Sequence, residues 1–219
     1  MVDSRMGSSS VDRRVGAWTL AVGGLLLALA TGNAALAVGT GGAAPVGNLT
    51  GQFLVATDEL RDPRFVRTVV YVVRHSDAGA MGFVVNRPIA SGPLADVLTP
   101  LGMDTTGIRG DITAYYGGPV EPALGFILHT IDYATPGTVP VKGTIALTAN
   151  PAILRDIGMG TGPRRSLFAM GYAGWSPGQL EGEIAAGSWE VVPADEALLF
   201  DTNDATKWER AMARRTFKL

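Results

Sequence analysis

The chain has 219 residues, of which 47% are hydrophobic and 17% are charged, and this length supports one sizeable core or at most two small ones. Residues 46–219 carry 15 Lys and Arg residues against 18 Asp and Glu residues. This mildly acidic balance argues against a general nucleic-acid binder, whose affinity depends on cationic contacts with phosphate. The absence of cysteine excludes disulfides, thiol nucleophiles and thiolate metal sites.

Residues 1–45 differ in composition from the rest of the chain. An apolar run over residues 17–30 follows three arginines and precedes a small-x-small pattern at Ala35 and Ala37, which is typical of a signal peptide with its cleavage site. If residues 17–37 are retained, the segment is a membrane anchor. A translation start placed too far upstream is the other alternative, and the true chain then begins near Val46. In each case we expect one domain over residues 46–219.

The first part of this domain predicts antiparallel strands and one short helix. β-Branched and aromatic residues predict strands over residues 52–57, 66–75 and 81–87. The connection at 76–80 has a common hairpin length, so the second and third strands form a hairpin. Pro88 is expected to end it. Apolar residues on one side predict a helix over 93–99, with Pro100 as its stop.

The second part of the domain alternates strands with helices. Strands are predicted over residues 111–116, 125–129, 144–148, 166–172 and 188–192, with a loop at 132–142. Asn150 followed by Pro151 predicts a helix start, and Asp204 is predicted to cap a last helix that carries Trp208 and Met212 one turn apart. Hairpins followed by strand–helix alternation predict a single mixed-sheet α/β domain.

The segment 171–184 is the most distinctive part of the sequence. Ser176 is a good N-cap, Pro177 suits the first helical position, and Gln179 completes a capping box. Trp175 and Leu180 have the spacing of a hydrophobic staple. Gly187 supplies a C-terminal stop. These residues predict a strand end, a turn and a helix.

Four motifs, in order and with consistent spacing, resemble the AlgH/YqgE family of small bacterial proteins. They lie at residues 51–57 with 62–69, at 79–88, at 116–120 with 125–129, and at 171–181. The resemblance spans residues 49–219. It implies a compact α/β (α+β) domain with a mixed, partly barrel-like β-sheet and packed helices. It also implies a cytoplasmic protein without an assigned enzyme activity, in a family of which one branch is linked to transcriptional regulation.

The residues themselves predict no catalytic group, metal site or cofactor. His75 and His129 lack metal-binding spacing and fit polar residues at strand ends, although either imidazole is also suited to act as a general base. Ser176 is already used as a cap, and no Gly-x-Ser-x-Gly motif occurs. Glu181 and Glu183 are two residues apart on a helix and therefore point to different sides.

Arginines near Pro63 are the best candidates for binding. A pocket of clustered arginines, with Asn86 and Arg87 brought close by the hairpin, suits an acidic ligand. The turn at Gly117 and Gly118 fits a close backbone approach or amides that face an anion. The candidate binding residues are Arg64, Arg67, Asn86, Arg87, Gly117, Gly118, Trp175 and Gln179.

Three functions remain open at this point. The first is a non-catalytic binding or regulatory protein of the AlgH/YqgE type, whose partner is a protein or a small anionic ligand. The second is a small enzyme that uses His75 or His129 on an anionic substrate. The third is a membrane-tethered partner protein, which depends on residues 17–37 alone.

Overall fold

The computed structural model describes residues 47–215, so the predicted signal, anchor or upstream start lies outside the described residues. Its strands are β1 (Gln52–Ala56), β2 (Val69–Ser76), β3 (Gly79–Val84), β4 (Pro88–Pro93), β5 (Asp111–Tyr116), β6 (Val120–Thr130), β7 (Thr138–Lys142), β8 (Ile145–Thr148), β9 (Ser166–Trp175) and β10 (Trp189–Pro193). Its α-helices are α1 (Leu94–Leu98), α2 (Ala152–Met159), α3 (Gln179–Ala185), α4 (Glu196–Leu199) and α5 (Asp204–Met212). Within residues 47–215, no helix is long and apolar enough to cross a membrane.

Eight strands form one antiparallel path in the order β10-β1-β2-β3-β9-β6-β8-β7. A branch leaves this path where β5 pairs in parallel with β9, and β4 pairs with β5. The sheet curls, so that Lys142 at the end of β7 lies against Gly51, the residue before β1: a Cβ atom built on Gly51 would be 2.5 Å from Cδ of Lys142. The expected mixed, partly barrel-like α+β domain is therefore confirmed.

Three apolar clusters lie on the two faces of this sheet. Inside the curl, Phe53, Phe83 and Leu128 pack with residues of α4 and α5. Neighbouring residues of the same strands point to the opposite face, as the two-residue period of a strand requires, and pack there beneath α3. The third cluster lies beneath α1 and α2. Burial on both faces explains why β1 and β2 read as continuous apolar runs.

Several predicted boundaries were wrong, and prolines explain two of them. β4 starts at Pro88, where a strand was expected to end, and β7 contains Pro140 inside a predicted loop. Both lie at an edge of the described sheet, where a missing backbone donor is tolerated. The β2–β3 hairpin is tighter than predicted, since Ser76 pairs directly with Gly79. Helix α4 has only four residues and shows no readable periodicity.

Two predicted helix starts were also wrong in detail. Gly178 has a left-handed φ of 74°, so α3 begins at Gln179 and not at Pro177. Half of the capping box remains, because Oε1 of Gln179 accepts a hydrogen bond from the Ser176 backbone N–H at 3.1 Å. At the start of α5, Asp204 is the first helical residue, and no side chain caps this end.

Candidate functional site

An open cleft of about 540 Å³ lies where the β3–β4 connection meets the turn that precedes β2. We call it the arginine cleft. It is lined by Arg64, Asn86, Arg87, Pro88, Ile89 and Tyr116. Three of the predicted binding residues, namely Arg64, Asn86 and Arg87, thus lie together. Pro88, Ile89 and Tyr116 were missed by the sequence reasoning, although each is adjacent to a family motif or within one.

Asn86 and Arg87 hold the polar wall of the arginine cleft in place. Oδ1 of Asn86 accepts a hydrogen bond from the Val69 backbone N–H at 2.9 Å, and its Nδ2 donates to the Arg67 carbonyl at 2.9 Å. The guanidinium of Arg87 donates to the carbonyls of Arg64 and Val66. These bonds fix the turn against the β3–β4 connection, so this wall of the cleft is held in place by the fold itself.

Arg64 and Arg67 face different surroundings. The guanidinium of Arg64 makes a two-point hydrogen bond with the Asp62 carboxylate, and this bond lowers the pKa of Asp62 below its usual value. The Arg64 side chain remains 59% exposed. Arg67 turns away from the cleft with a left-handed φ of 54°. Its guanidinium lies 4.1 Å from the centre of the Trp208 ring and pairs with Glu209.

Gly117 and Gly118 form a close backbone crossing over β9. A Cβ atom at Gly117 would lie 2.2 Å from the Gly171 carbonyl oxygen, and one at Gly118 would lie 2.2 Å from the Tyr172 carbonyl carbon. The Gly117 N–H already donates to the Met170 carbonyl at 2.8 Å. This amide therefore has a partner inside the fold, and the geometry is that of the predicted close approach.

Trp175 and Gln179 converge on one carboxylate rather than on the arginine cleft. The indole N–H groups of Trp175 and Trp189 both donate to Oε2 of Glu183, at 2.9 and 2.8 Å. The side-chain amide of Gln179 also donates to this carboxylate, from its Nε2 to Oε1 at 2.9 Å. Glu183 is thus the centre of a group that we call the tryptophan clamp, which consists of Trp175, Gln179, Glu183 and Trp189.

His75 is buried and joins the other glutamate of α3 to the sheet. Its Nδ1 accepts a hydrogen bond from the Leu49 backbone N–H at 3.1 Å, so the ring proton is on Nε2, which donates to Oε1 of Glu181 at 2.7 Å. The pKa of Glu181 is lowered because its carboxylate accepts a hydrogen bond from the Glu181 backbone N–H and a further one from His75. Glu181 and Glu183 therefore bond to different groups of the sheet, His75 in the one case and the two indoles in the other.

His129 is fully buried and lies in a directed chain of hydrogen bonds. Its Nδ1 must donate to the Thr130 carbonyl at 2.9 Å, so Nε2 accepts from the Thr148 hydroxyl at 2.9 Å. The Thr138 hydroxyl in turn donates to Thr148. Burial lowers the pKa of His129 and outweighs the Thr130 carbonyl and the Asp132 carboxylate, which favour the protonated ring. Both imidazoles are therefore fully engaged within the fold.

The sequence reasoning missed a buried lysine. Lys207 has no exposed surface, and its Nζ donates to the Val85 carbonyl at 2.6 Å and lies 3.1 Å from Oδ1 of Asp204. Lys207 and Asp204 form an ion pair without a hydrogen bond, because Oδ1 of Asp204 has no hydrogen-bond partner. The other carboxylate oxygen, Oδ2, accepts a hydrogen bond from the Tyr115 hydroxyl. Burial lowers the pKa of Lys207. Asp204 was predicted as a helix cap, and this prediction was wrong because its carboxylate faces Lys207 and Tyr115.

No group of three or more His, Asp or Glu side chains within residues 47–215 is arranged to hold a metal ion. The polar groups discussed above are of two kinds. Those of the tryptophan clamp, together with Asn86 and Arg87 in the arginine cleft, are hydrogen-bonded inside the domain, whereas the guanidinium of Arg64 faces solvent. Electrostatic recognition of an anion is the chemistry that this arrangement supports.

Comparison with known proteins decides the family. The model of the AlgH-like family matches residues 53–219. The chain belongs to the AlgH-like family. Within it, the chain is similar to a UPF0301 protein of Rhodospirillum rubrum, with 45% identity over 168 residues that cover 77% of this chain and 88% of that protein. A UPF0301 protein of Rhizobium rhizogenes is 47% identical over 174 residues, covering 76% and 86%.

Solved structures support the AlgH-like fold. The solution structure of the AlgH protein from Pseudomonas aeruginosa has a TM-score of 0.67 and 38% identity, and the match covers 80% of this chain and 92% of that one. A crystal structure from Corynebacterium diphtheriae has a TM-score of 0.62 at 20% identity, covering 78% and 88%. The second likeness concerns the fold alone. The resemblance seen in the four sequence motifs is confirmed.

Proposed function

We propose that this AlgH-like chain is a non-catalytic binding protein whose arginine cleft takes an anionic ligand. One observation carries the proposal: the exposed guanidinium of Arg64 lies beside apolar surface, which includes Ile89 at 54% exposure. A cation next to apolar surface suits a ligand that has both an apolar body and a carboxylate or phosphate.

The ion pair of Arg64 with Asp62 is compatible with ligand binding. Both side chains are accessible, and an exposed ion pair contributes little to stability because water and salt screen it. An incoming anion can therefore compete with Asp62 for the guanidinium. Asn86 and Arg87 are already fixed by the turn, so little ordering is required when the ligand binds.

We further propose a regulatory role, as a cytoplasmic transcriptional regulator of the AlgH type. The acidic domain favours action through a protein partner or a small ligand over direct contact with DNA. Fractionation of cells that express the native gene, with mass spectrometry of the mature N-terminus, tests the location. Recovery of the chain in the membrane fraction with residues 17–37 retained would instead support a membrane-tethered protein.

Isothermal titration calorimetry tests the binding function. The full chain is titrated with nucleotides, with di- and tricarboxylates and with promoter DNA, and we expect at least one small anion to bind. Arg64→Gln should weaken that binding about tenfold. Arg109→Gln is the matched control, since Arg109 is exposed and its side chain has no polar partner within residues 47–215. Absence of binding to every ligand, together with turnover in an activity screen, would contradict the proposal.

A further inference from the structure

A second pocket lies at the end of the curl, between the β7–β8 turn and the segment that joins β10 to α4. We call it the barrel-end pocket. It has a volume of about 390 Å³ and is lined by Gly51, Gln52 and Tyr71, by residues 142–145 at the β7–β8 turn, and by residues 193–196 between β10 and α4. It shares no lining residue with the arginine cleft.

Tyr71 supplies an unused hydrogen-bond donor to this pocket. The side chain is 2% exposed, and its ring packs edge-on against Phe53 with 5.8 Å between ring centres. Its hydroxyl makes no hydrogen bond within residues 47–215. Among residues 47–215, Oδ1 of Asp204 is the only side-chain polar atom that is both fully enclosed and without a hydrogen bond. Because the Tyr71 hydroxyl also lacks a hydrogen bond, its oxygen is not fully enclosed and is reached by solvent. Burial raises the pKa of Tyr71 to about 12, which keeps the phenol protonated.

Lys142 supplies a cation at the rim of the pocket. Its methylene groups lie against Gly51, while its ammonium group has no ion-pair partner among residues 47–215. An unpaired cation beside a buried donor favours an anion that accepts hydrogen bonds.

Two carboxylates also line the pocket, but both are neutralised by other groups. Asp195 pairs with Arg214 at 2.7 Å and accepts a hydrogen bond from the Leu198 backbone N–H at 2.7 Å. Glu196 pairs with Arg164 at 2.7 Å and accepts a hydrogen bond from the Thr144 hydroxyl at 3.0 Å. Lys142 is therefore the uncompensated charge of the lining.

We propose that the barrel-end pocket binds a small amphipathic carboxylate. Its apolar body contacts Ile145, Pro193 and Ala194, and its carboxylate accepts hydrogen bonds from the Tyr71 hydroxyl and the Lys142 ammonium group. This pocket is a second binding site, and it does not depend on the ligand of the arginine cleft.

Octanoate is the probe for the first experiment. It is titrated into the full ¹⁵N-labelled chain, with octanol and octylammonium as neutral and cationic probes of matched length. We expect octanoate to shift the backbone amide signals of Gly51, Gly143 and Ala194, and to bind at least fivefold more tightly than the other two probes. Absence of these shifts at millimolar octanoate would overturn the proposal, and so would equal affinity for octylammonium.

Two substitutions distinguish a binding role from a structural one. Tyr71→Phe should weaken octanoate binding at least fivefold while the melting temperature stays the same or rises, because the lost hydroxyl has no partner in the described fold. Lys142→Gln should weaken binding to a similar extent, whereas Lys142→Arg should retain it. Arg109→Gln is the control and should bind octanoate like the unmodified chain. Unchanged affinity in Tyr71→Phe or in Lys142→Gln would overturn the proposal.

Discussion

The tryptophan clamp and the arginine cleft use polar groups in opposite ways. In the clamp, two indoles and an amide donate to the Glu183 carboxylate, and the two tryptophans are 7% and 3% exposed. In the cleft, the exposed guanidinium of Arg64 has a partly exposed partner, Asp62, and lies next to exposed Ile89. The most distinctive segment of the sequence, residues 171–184, therefore contributes to the packing of the fold. The turn near Pro63, which has no such distinctive pattern, carries the solvent-exposed guanidinium of Arg64.

This contrast has an energetic basis. A buried donor that loses its acceptor costs about 1–3 kcal/mol, because no water replaces the lost bond. An exposed ion pair can exchange its partner for water at little cost. Substitutions in the tightly bonded regions should therefore change stability, and substitutions in the arginine cleft should change binding while the fold remains intact.

The glycine crossing gives the largest expected effect. Gly117→Ala places a Cβ atom 2.2 Å from the Gly171 carbonyl oxygen, and backbone cannot move aside as a flexible side chain can. We expect the free energy of unfolding to fall by about 3 kcal/mol or more, measured by chemical denaturation. Gly92→Ala is the matched control, since a Cβ atom there meets no atom within 4 Å. Equal stability of the two variants would show that the backbone crossing does not require glycine at position 117, and Gly117 would again be a candidate for ligand binding.

Removal of the Glu183 carboxylate tests the clamp directly. Glu183→Ala leaves two buried indole N–H groups without an acceptor, so we expect a loss of about 2–3 kcal/mol in the free energy of unfolding and a change in tryptophan fluorescence. Glu59→Ala removes an exposed carboxylate of the same length and should leave the stability unchanged. If Arg64→Gln destabilised the domain more than Glu183→Ala did, the contrast between clamp and cleft would be wrong.

Local sequence signals predicted the parts of the fold that depend on neighbouring residues. The end of α3 is one case: the N–H of Gly187 donates to the Ile184 carbonyl and that of Ser188 to the Glu183 carbonyl, which is the expected glycine stop. Asn150 is another in part: α2 begins at Ala152, one residue later than predicted, but Oδ1 of Asn150 still accepts a hydrogen bond from the Ala152 N–H. The edge strands β4 and β7 were not predicted, because each contains proline. Proline indicates the end of a strand unless the strand is known to lie at the edge of a sheet.

The same limit applies to the site. Asn86 and Arg87 were expected near Arg64 because a hairpin and a short turn suffice to bring them together. Glu183 and Lys207 were not assigned their roles, since their partners Trp189, Val85 and Tyr115 come from other elements of the fold. For Lys207, the available signal was its position one turn before the fully buried Ala211 on α5, although lysine is rarely fully buried.

The region around His129 allows a third comparison, between a histidine that is hydrogen-bonded inside the fold and one that is free to act as a general base. Nε2 of the buried ring accepts from the Thr148 hydroxyl, so a proton on Nε2 would force this bond to reverse its direction. The pKa of His129 is lowered in the fold relative to about 6.5 in an unfolded chain. The unfolded state therefore binds the proton first as the pH falls, and the stability contribution present above pH 6.5 is lost below it.

We expect the free energy of unfolding to decline as the pH falls below about 6.5, by at most about 1.4 kcal/mol for each pH unit from this group. Denaturation curves across this range, compared with those of His129→Gln, isolate its share, since carboxylates titrate mainly at lower pH. Ring NMR signals give a second measurement that does not require the variant to fold. A ring that titrates above pH 6.5, or a variant with the same pH slope, would show that His129 is open to protonation and would restore it as a candidate general base.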